Sequence, residues 1–287
     1  TADSLPGAYT VFRGELFKGK SHFGENVTFD ETLPTNYLAD EVIDDNKVNE
    51  LLAKKYNETI VIAEDDSEIL AYLKDELSTN FRVIAVNNGY DAVKAVMDDE
   101  VSLILSDVLM PALNGFQLCS NIKSNIATCH IPIVLLTALS DDNQRIYGIA
   151  EGADEYIHKP FNMQYVRLKI IRIIEERKRL ASTFAQKFGR LTRHEAANLP
   201  CVDDVFRDKL FNLIEAQHSD SNFKIELMSD MLGMSRILLY RKITSIFGMS
   251  PSDLLRNYRL QKAVQLLTDQ RRNVSEVAYI VGFSSPA

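Results

Sequence analysis

From Thr59 to Leu180 the chain repeats one rhythm five times: a short apolar run, then a stretch with helical spacing. TIVIAE precedes SEILAYLKDELS, FRVIAV precedes DAVKAVMDD, and VSLILSD precedes GFQLCSNIKS. IPIVLLTA precedes DDNQRIYGIAEG, and DEYIHK precedes MQYVRLKIIRIIEERKRL. Runs of this length without polar alternation suit strands covered on both faces. Five strand–helix units in succession imply an α/β fold: a doubly wound, five-stranded parallel sheet with helices on both sides.

In such a sheet, function gathers at the carboxyl ends of the strands. Glu64, Asp65 and Asp66 follow the first strand, Asp107 ends the third, Thr137 the fourth, and Lys159 with Pro160 follows the fifth. Each has a plain structural reading: Asp66 as a helix cap, Thr137 as a strand former, Lys159 as a solvated loop residue. Their conjunction points elsewhere. Carboxylates crowded on one edge repel unless a cation lies among them, and an all-oxygen set that leaves room for water suits Mg²⁺. A hydroxyl and an ammonium on neighbouring strands suit phosphoryl oxygens. A carboxylate beside the ion is a plausible phosphoryl acceptor.

The pieces IVIAEDD, LILSDVLMP, IVLLTA and GADEYIHKPF together resemble a response-regulator receiver domain of two-component signalling, flavodoxin-like in fold, over residues 58–178. The spacings of 30 residues from Asp107 to Thr137 and 22 from Thr137 to Lys159 match that family. The resemblance implies Asp107 as phosphoacceptor from a histidine kinase. It implies Glu64, Asp65, Asp107 and the backbone carbonyl of Leu109 as Mg²⁺ ligands, with Thr137 and Lys159 on the phosphoryl oxygens. Thr137 and Tyr156 take the switch positions. A receiver that acts only through protein contacts, with an inert helical tail, is one rival reading, and an Mg²⁺-dependent phosphatase-like enzyme is the main one. It wants a second acid two residues after the nucleophile, where this chain has Val108 and Leu109.

The final receiver helix runs without Gly or Pro to Gly189, either as a transmitter of rotation, as a partner for a second helix in a homodimer, or as a spacer. Residues 179–204 are expected to hold this signalling helix and a linker, with a loop from 189. From Val205 the spacing is helical throughout. KIELMSDMLG, MS and RILLYRKITSIFG read as helix–turn–helix, with Gly233 in the turn, Ser235 as cap, and Leu239, Ile243 and Ile246 inside. Arg236, Tyr240, Arg241 and Thr244 are expected to face outward. A second copy is offset by 49 residues, Gly282 matching Gly233 and Ser284 matching Ser235, and PSDLLRNYRLQKAVQLLTD joins the two. Residues 205–287, an all-α double helix–turn–helix, resemble the AraC-type DNA-binding domain. That resemblance places the first recognition helix at 235–247, with Arg236, Ile237, Tyr240 and Arg241 toward the major groove of double-stranded DNA. An outward Ile237 suits a thymine methyl. The chain ends at SSPA, where a second recognition helix is expected to begin, so the domain reads as truncated.

Charge divides the same way. Residues 58–178 carry 11 basic and 19 acidic side chains, whereas residues 205–287 carry 11 and 8. AYTVFRGELFK alternates like one strand, and residues 1–20 resemble the closing strand of a kinase ATP-binding domain. Residues 21–57, polar and acidic with two candidate short helical pieces, read as a linker. The order matches the end of a hybrid sensor kinase, with the fragment itself not an enzyme. Three scattered cysteines suggest a reducing compartment. No stretch reaches the ~18 apolar residues of a membrane span. The expectation is a cytoplasmic location, as a free regulator or as the tail of an inner-membrane sensor, with no membrane contact from this segment.

Overall fold

Ile60 and Ile62 point to one side of a sheet and Val61 and Ala63 to the other, and all four are fully buried. They lie on the central strand of a parallel sheet. In the computed structural model, residues 2–5, 9–12, 45–138, 152–188, 203–268 and 273–285 are described. The five strands are β3 (Thr59–Ala63), β4 (Arg82–Val86), β5 (Leu103–Asp107), β6 (Ile133–Thr137) and β7 (Glu155–His158). They pair in the order β4-β3-β5-β6-β7, all parallel. Helices α2 (Ser67–Ser78), α3 (Gly89–Asp98) and α4 (Gly115–Ser124) cover the faces, together with the start of α5 (Met163–Phe188).

Two cores result. Ile60, Ile62, Leu103, Leu105, Val134 and Leu136 pack with Leu73 and Leu77 of α2 and with Val166 and Ile170 of α5. Val61, Ala63, Ile104 and Leu135 pack with Ala92 and Val96 of α3 and with Leu118 and Ile122 of α4. The expected two-sided burial holds for β3, β5 and β6, whereas the edge strands β4 and β7 are only partly covered. The helix expected between β6 and β7 lies outside the described residues.

Helix α1 (Asp45–Ala53) is a short helical piece within the expected linker. Leu51 and Leu52 pack on the first core, and the Leu52 carbonyl accepts from Asn80 Nδ2 at 2.8 Å and Arg167 Nη2 at 3.1 Å. The compact unit that holds the sheet therefore begins at Asp45 rather than at the expected residue 58. Ala2–Leu5 (β1) and Tyr9–Phe12 (β2) form an antiparallel hairpin where a lone strand was expected. Residues 13–44 and 189–202, including most of the expected linkers, lie outside the described residues.

Helix α5 has 26 residues, a rod of about 39 Å. Its first half sits in the sheet core. Its end carries Phe184 and Phe188 into a third core with Phe206, Phe211 and Phe247, whose rings meet at centroid distances of 4.7–6.5 Å. Both halves of α5 are thus built into packed interiors. The third core belongs to α6 (Asp204–Gln217), α7 (Ile225–Leu232), α8 (Arg236–Phe247) and α9 (Pro251–Thr268), followed by α10 (Val274–Ile280).

Candidate functional site

Parallel register brings the acidic residues together. Ala63 pairs with Ser106, so Glu64 and Asp107, each one position further on, leave the sheet side by side. One carboxylate oxygen from each of Glu64, Asp65 and Asp107 lies within 4.8 Å of the others. Glu64 and Asp107 are buried and Asp65 is exposed. Lys159, just beyond β7, reaches both buried acids, at 2.8 Å from Glu64 Oε2 and 3.2 Å from Asp107 Oδ1. Burial pushes the Glu64 carboxyl up, and the neighbouring Asp107 charge adds to this against the opposing hydrogen bond from Lys159. Burial alone would lower the Lys159 ammonium, but the hydrogen bond to Glu64 and the charge of Asp107 outweigh it and its pKa is raised. Three carboxylates facing one ammonium leave a formal charge of about −2, the charge a divalent cation neutralises.

Thr137 ends β6, buried, and its carbonyl accepts from the Lys159 N–H at 2.7 Å. Asp107 Oδ1 also accepts from the Val108 N–H at 2.9 Å. Leu109 stands exposed two residues on. Tyr156, on β7, is half-buried against the second core. The Lys159–Pro160 peptide is cis.

In the C-terminal part, Gly233 caps α7 at φ +69°, a left-handed backbone that favours glycine, and Ser235 Oγ caps α8 by accepting from the Leu238 N–H. Leu239, Ile243 and Ile246 are buried as expected. The second unit repeats the turn: Asn273 and Glu276 form a capping box at α10, and Gly282 sits at φ +94°. On α8, Arg236 and Tyr240 are exposed, and Ile237 is 63% exposed, which rules out its core reading. Arg236 pairs with Glu226 at 3.0 Å, both exposed. Arg241 and Thr244 depart from expectation. Both are half-buried against the sheet domain, with the Arg241 guanidinium on the carbonyls of Met97, Asp98 and Asp99.

Residues 60–171 match the family described as response regulator receiver domain, and residues 228–287 match a helix-turn-helix domain of the AraC type. The chain joins a response-regulator receiver to an AraC-type helix–turn–helix domain. Over 289 aligned residues it is 34% identical to a Formosa agariphila protein named histidine kinase P4, covering 96% of this chain and 21% of that one. It is 38% identical to transcriptional regulatory protein GltR of Pseudomonas aeruginosa over 113 residues, 39% of this chain and 47% of that one. The chain thus spans about a fifth of the first of these relatives and about half of the second. A receiver domain from a Syntrophus aciditrophicus signal transduction histidine kinase is 34% identical, at TM-score 0.41, covering 42% of this chain and 93% of that one.

Other residues take structural roles around these elements. Asp66 takes its plain reading: it caps α2 by accepting from the N–H groups of Glu68 and Ile69, and stands apart from the acidic trio. Gly115 is pressed against Asp107, since a Cβ there would lie 2.3 Å from the Asp107 carbonyl oxygen and 2.9 Å from Val108 Cα. Lys242 is fully buried, 2.6 Å from Asp203 Oδ2 and 3.2 Å from Cys129 Sγ. Its place between Leu239 and Ile243 on the inward stripe of α8 was the available signal. Asp203 caps α6, in a segment expected to be loop.

Proposed function

We propose that this chain is the output end of a two-component phosphorelay, in which a phosphoryl group on Asp107 controls binding of the helix–turn–helix domain to double-stranded DNA. The convergence of Glu64, Asp65 and Asp107 with Lys159 at the carboxyl edge of the sheet carries the reading. Glu64, Asp65, Asp107 and the Leu109 carbonyl are assigned to hold Mg²⁺. The ion's contribution is to neutralise charge between acceptor and donor.

The side chains do the rest. Val108 N–H and Lys159 fix Asp107 Oδ1, and the other carboxylate oxygen is assigned as the nucleophile. It attacks the donor phosphorus, the bond from phosphorus to the donor's imidazole nitrogen breaks, and an acyl phosphate remains on Asp107. Lys159 and the Thr137 hydroxyl stabilise the transferred oxygens. Thr137 moving toward them and Tyr156 turning inward form the two-state readout. Arg236, Ile237, Tyr240 and Arg241 of α8 are assigned to the major groove. The role assigned to this chain is non-enzymatic regulation.

The 34% identity across 96% of this chain to a protein named a histidine kinase, of which the match covers 21%, favours a donor kinase in the same polypeptide. Among the described residues no helix is long and apolar enough to cross a membrane, and the assigned place is the cytoplasm. The test is labelling by radioactive acetyl phosphate with Mg²⁺. Wild type should label and Asp107→Asn should not; equal labelling of both refutes the acceptor assignment.

A further inference from the structure

The acidic trio lies at the carboxyl ends of the strands, and a separate cavity of about 380 Å³ lies at their amino ends. Glu58, Ser102 and Pro132, each one residue ahead of β3, β5 or β6, line it, and α3, α5 and α8 close its sides. Its walls are mainly apolar, formed by Val96, Val101, Ile131, Ile174 and Leu238. A volume of this size falls in the range of small-molecule pockets.

Three buried polar atoms of its lining residues, Glu58 Oε2, His130 Nδ1 and Thr244 Oγ1, have no hydrogen-bond partner among the described residues. A buried polar atom left unpaired is costly, so three around one cavity call for an occupant. Thr244 makes the point most clearly. Thr183 and Thr268 turn their hydroxyls back onto the carbonyls of Arg179 and Val264, one helical turn earlier. Thr244, within α8, makes no such bond.

The surrounding charges select the occupant. All three Lys and Arg side chains of the lining are engaged: Lys178 with Glu58, Arg177 with the His130 carbonyl and Asp154, and Arg241 with the carbonyls of Met97, Asp98 and Asp99. None is left for an anionic ligand. A cationic ligand meets repulsion instead. Burial first, and then the charges of Lys242 and Arg177, lower the His130 imidazole to about 3 and keep it neutral, and a second cation would face those same charges. Asp99 and Glu100 are exposed, where solvent screens them.

We propose that this cavity binds a small neutral molecule carrying two or more hydroxyls on an apolar carbon body. One hydroxyl donates to Glu58 Oε2, and others exchange hydrogen bonds with Thr244 Oγ1 and His130 Nδ1. The carbon body covers the apolar walls, which water alone would leave wetted. The site is distinct from the Asp107 edge and rests on no assignment made for phosphorylation or for DNA.

The test uses the full chain and three probes that share one carbon ring: vicinal cyclohexanediol, cyclohexanecarboxylate and cyclohexylammonium. Binding is read by saturation-transfer NMR and by the imidazole signal of His130, assigned by its loss in His130→Gln. The diol should bind with a Kd on the order of 1 mM and move the His130 signal, and both charged rings should bind at least roughly tenfold more weakly. Thr244→Val keeps the shape but removes the hydroxyl, and should weaken the diol about tenfold, whereas Thr244→Ser should bind it like wild type. No diol binding at roughly ten times that Kd overturns the site. Equal binding of the three rings overturns the neutral class. Diol binding that leaves the wild-type His130 signal unmoved, or that is unchanged in Thr244→Val, overturns its placement in this cavity.

Discussion

Lys242→Met tests how α8 is held. The ammonium is 0% exposed and makes its shortest hydrogen bond to a side chain with Asp203, at 2.6 Å. Methionine keeps the length and most of the volume, so little cavity forms, but it strands the Asp203 carboxylate, whose side chain is 11% exposed. Burial alone would push the Asp203 carboxyl up, yet hydrogen bonds from Cys129, Lys242 and the Phe206 N–H hold it below its ordinary value. Losing one member of a buried pair costs about 3–5 kcal/mol, because the other charge stays behind. For a unit of this size that corresponds to roughly 6–20 °C in Tm. A low folded pKa stabilises above the unfolded carboxyl value and is lost as pH falls, so the variant should also lose less stability on acidification. Urea titration followed by helical circular dichroism, with thermal melts, gives the numbers. Adding Asp203→Asn removes the stranded charge and should recover most of the loss. A single-variant cost below about 1 kcal/mol, or a double variant no better than the single, refutes the pair's role.

The His130 imidazole is lowered to about 3, by burial first and then by the charges of Lys242 and Arg177. The folded chain keeps it neutral while the unfolded chain titrates near 6.5, so stability is lost as pH falls below that value. Denaturation at pH 6 and pH 5 should differ by about 1 kcal/mol, and His130→Gln should lack that slope. Gly115→Ala drives a Cβ into the Asp107 backbone and should slow acetyl phosphate labelling roughly tenfold with helicity retained; unchanged labelling would show that the loop yields freely. Arg236→Ala should weaken duplex binding by about 1–3 kcal/mol in anisotropy titrations, and an unchanged affinity places that side chain away from the groove.

The sheet was legible because each buried strand is a continuous apolar run and each helix has a clear stripe, as in TIVIAE before SEILAYLKDELS. The acidic trio was legible because parallel register turns three sequence positions into one edge, although capping removed Asp66 from it. The turns at Gly233 and Gly282 could be read from their repeat spacing, since both need positive φ. What escaped depends on contacts between distant segments. Nothing local marks Leu51 and Leu52 as receiver packing or Arg241 as a cap for a helix some 140 positions earlier. Lys242 hid because a charge on an inward stripe normally snorkels, whereas here Asp203 and two receiver atoms meet it inside. Gly115 hid because its constraint is a neighbouring carbonyl rather than a turn.

The central claim joins the acid edge to the DNA-binding helices, and one titration reaches both. Anisotropy of a labelled duplex against the full chain, with Mg²⁺ and with or without acetyl phosphate, should give tighter binding only with the phosphodonor. Asp107→Asn should bind at the weak level in both conditions. Equal affinities for wild type across the two conditions, with Asp107 fully phosphorylated, would contradict control of DNA binding from this site.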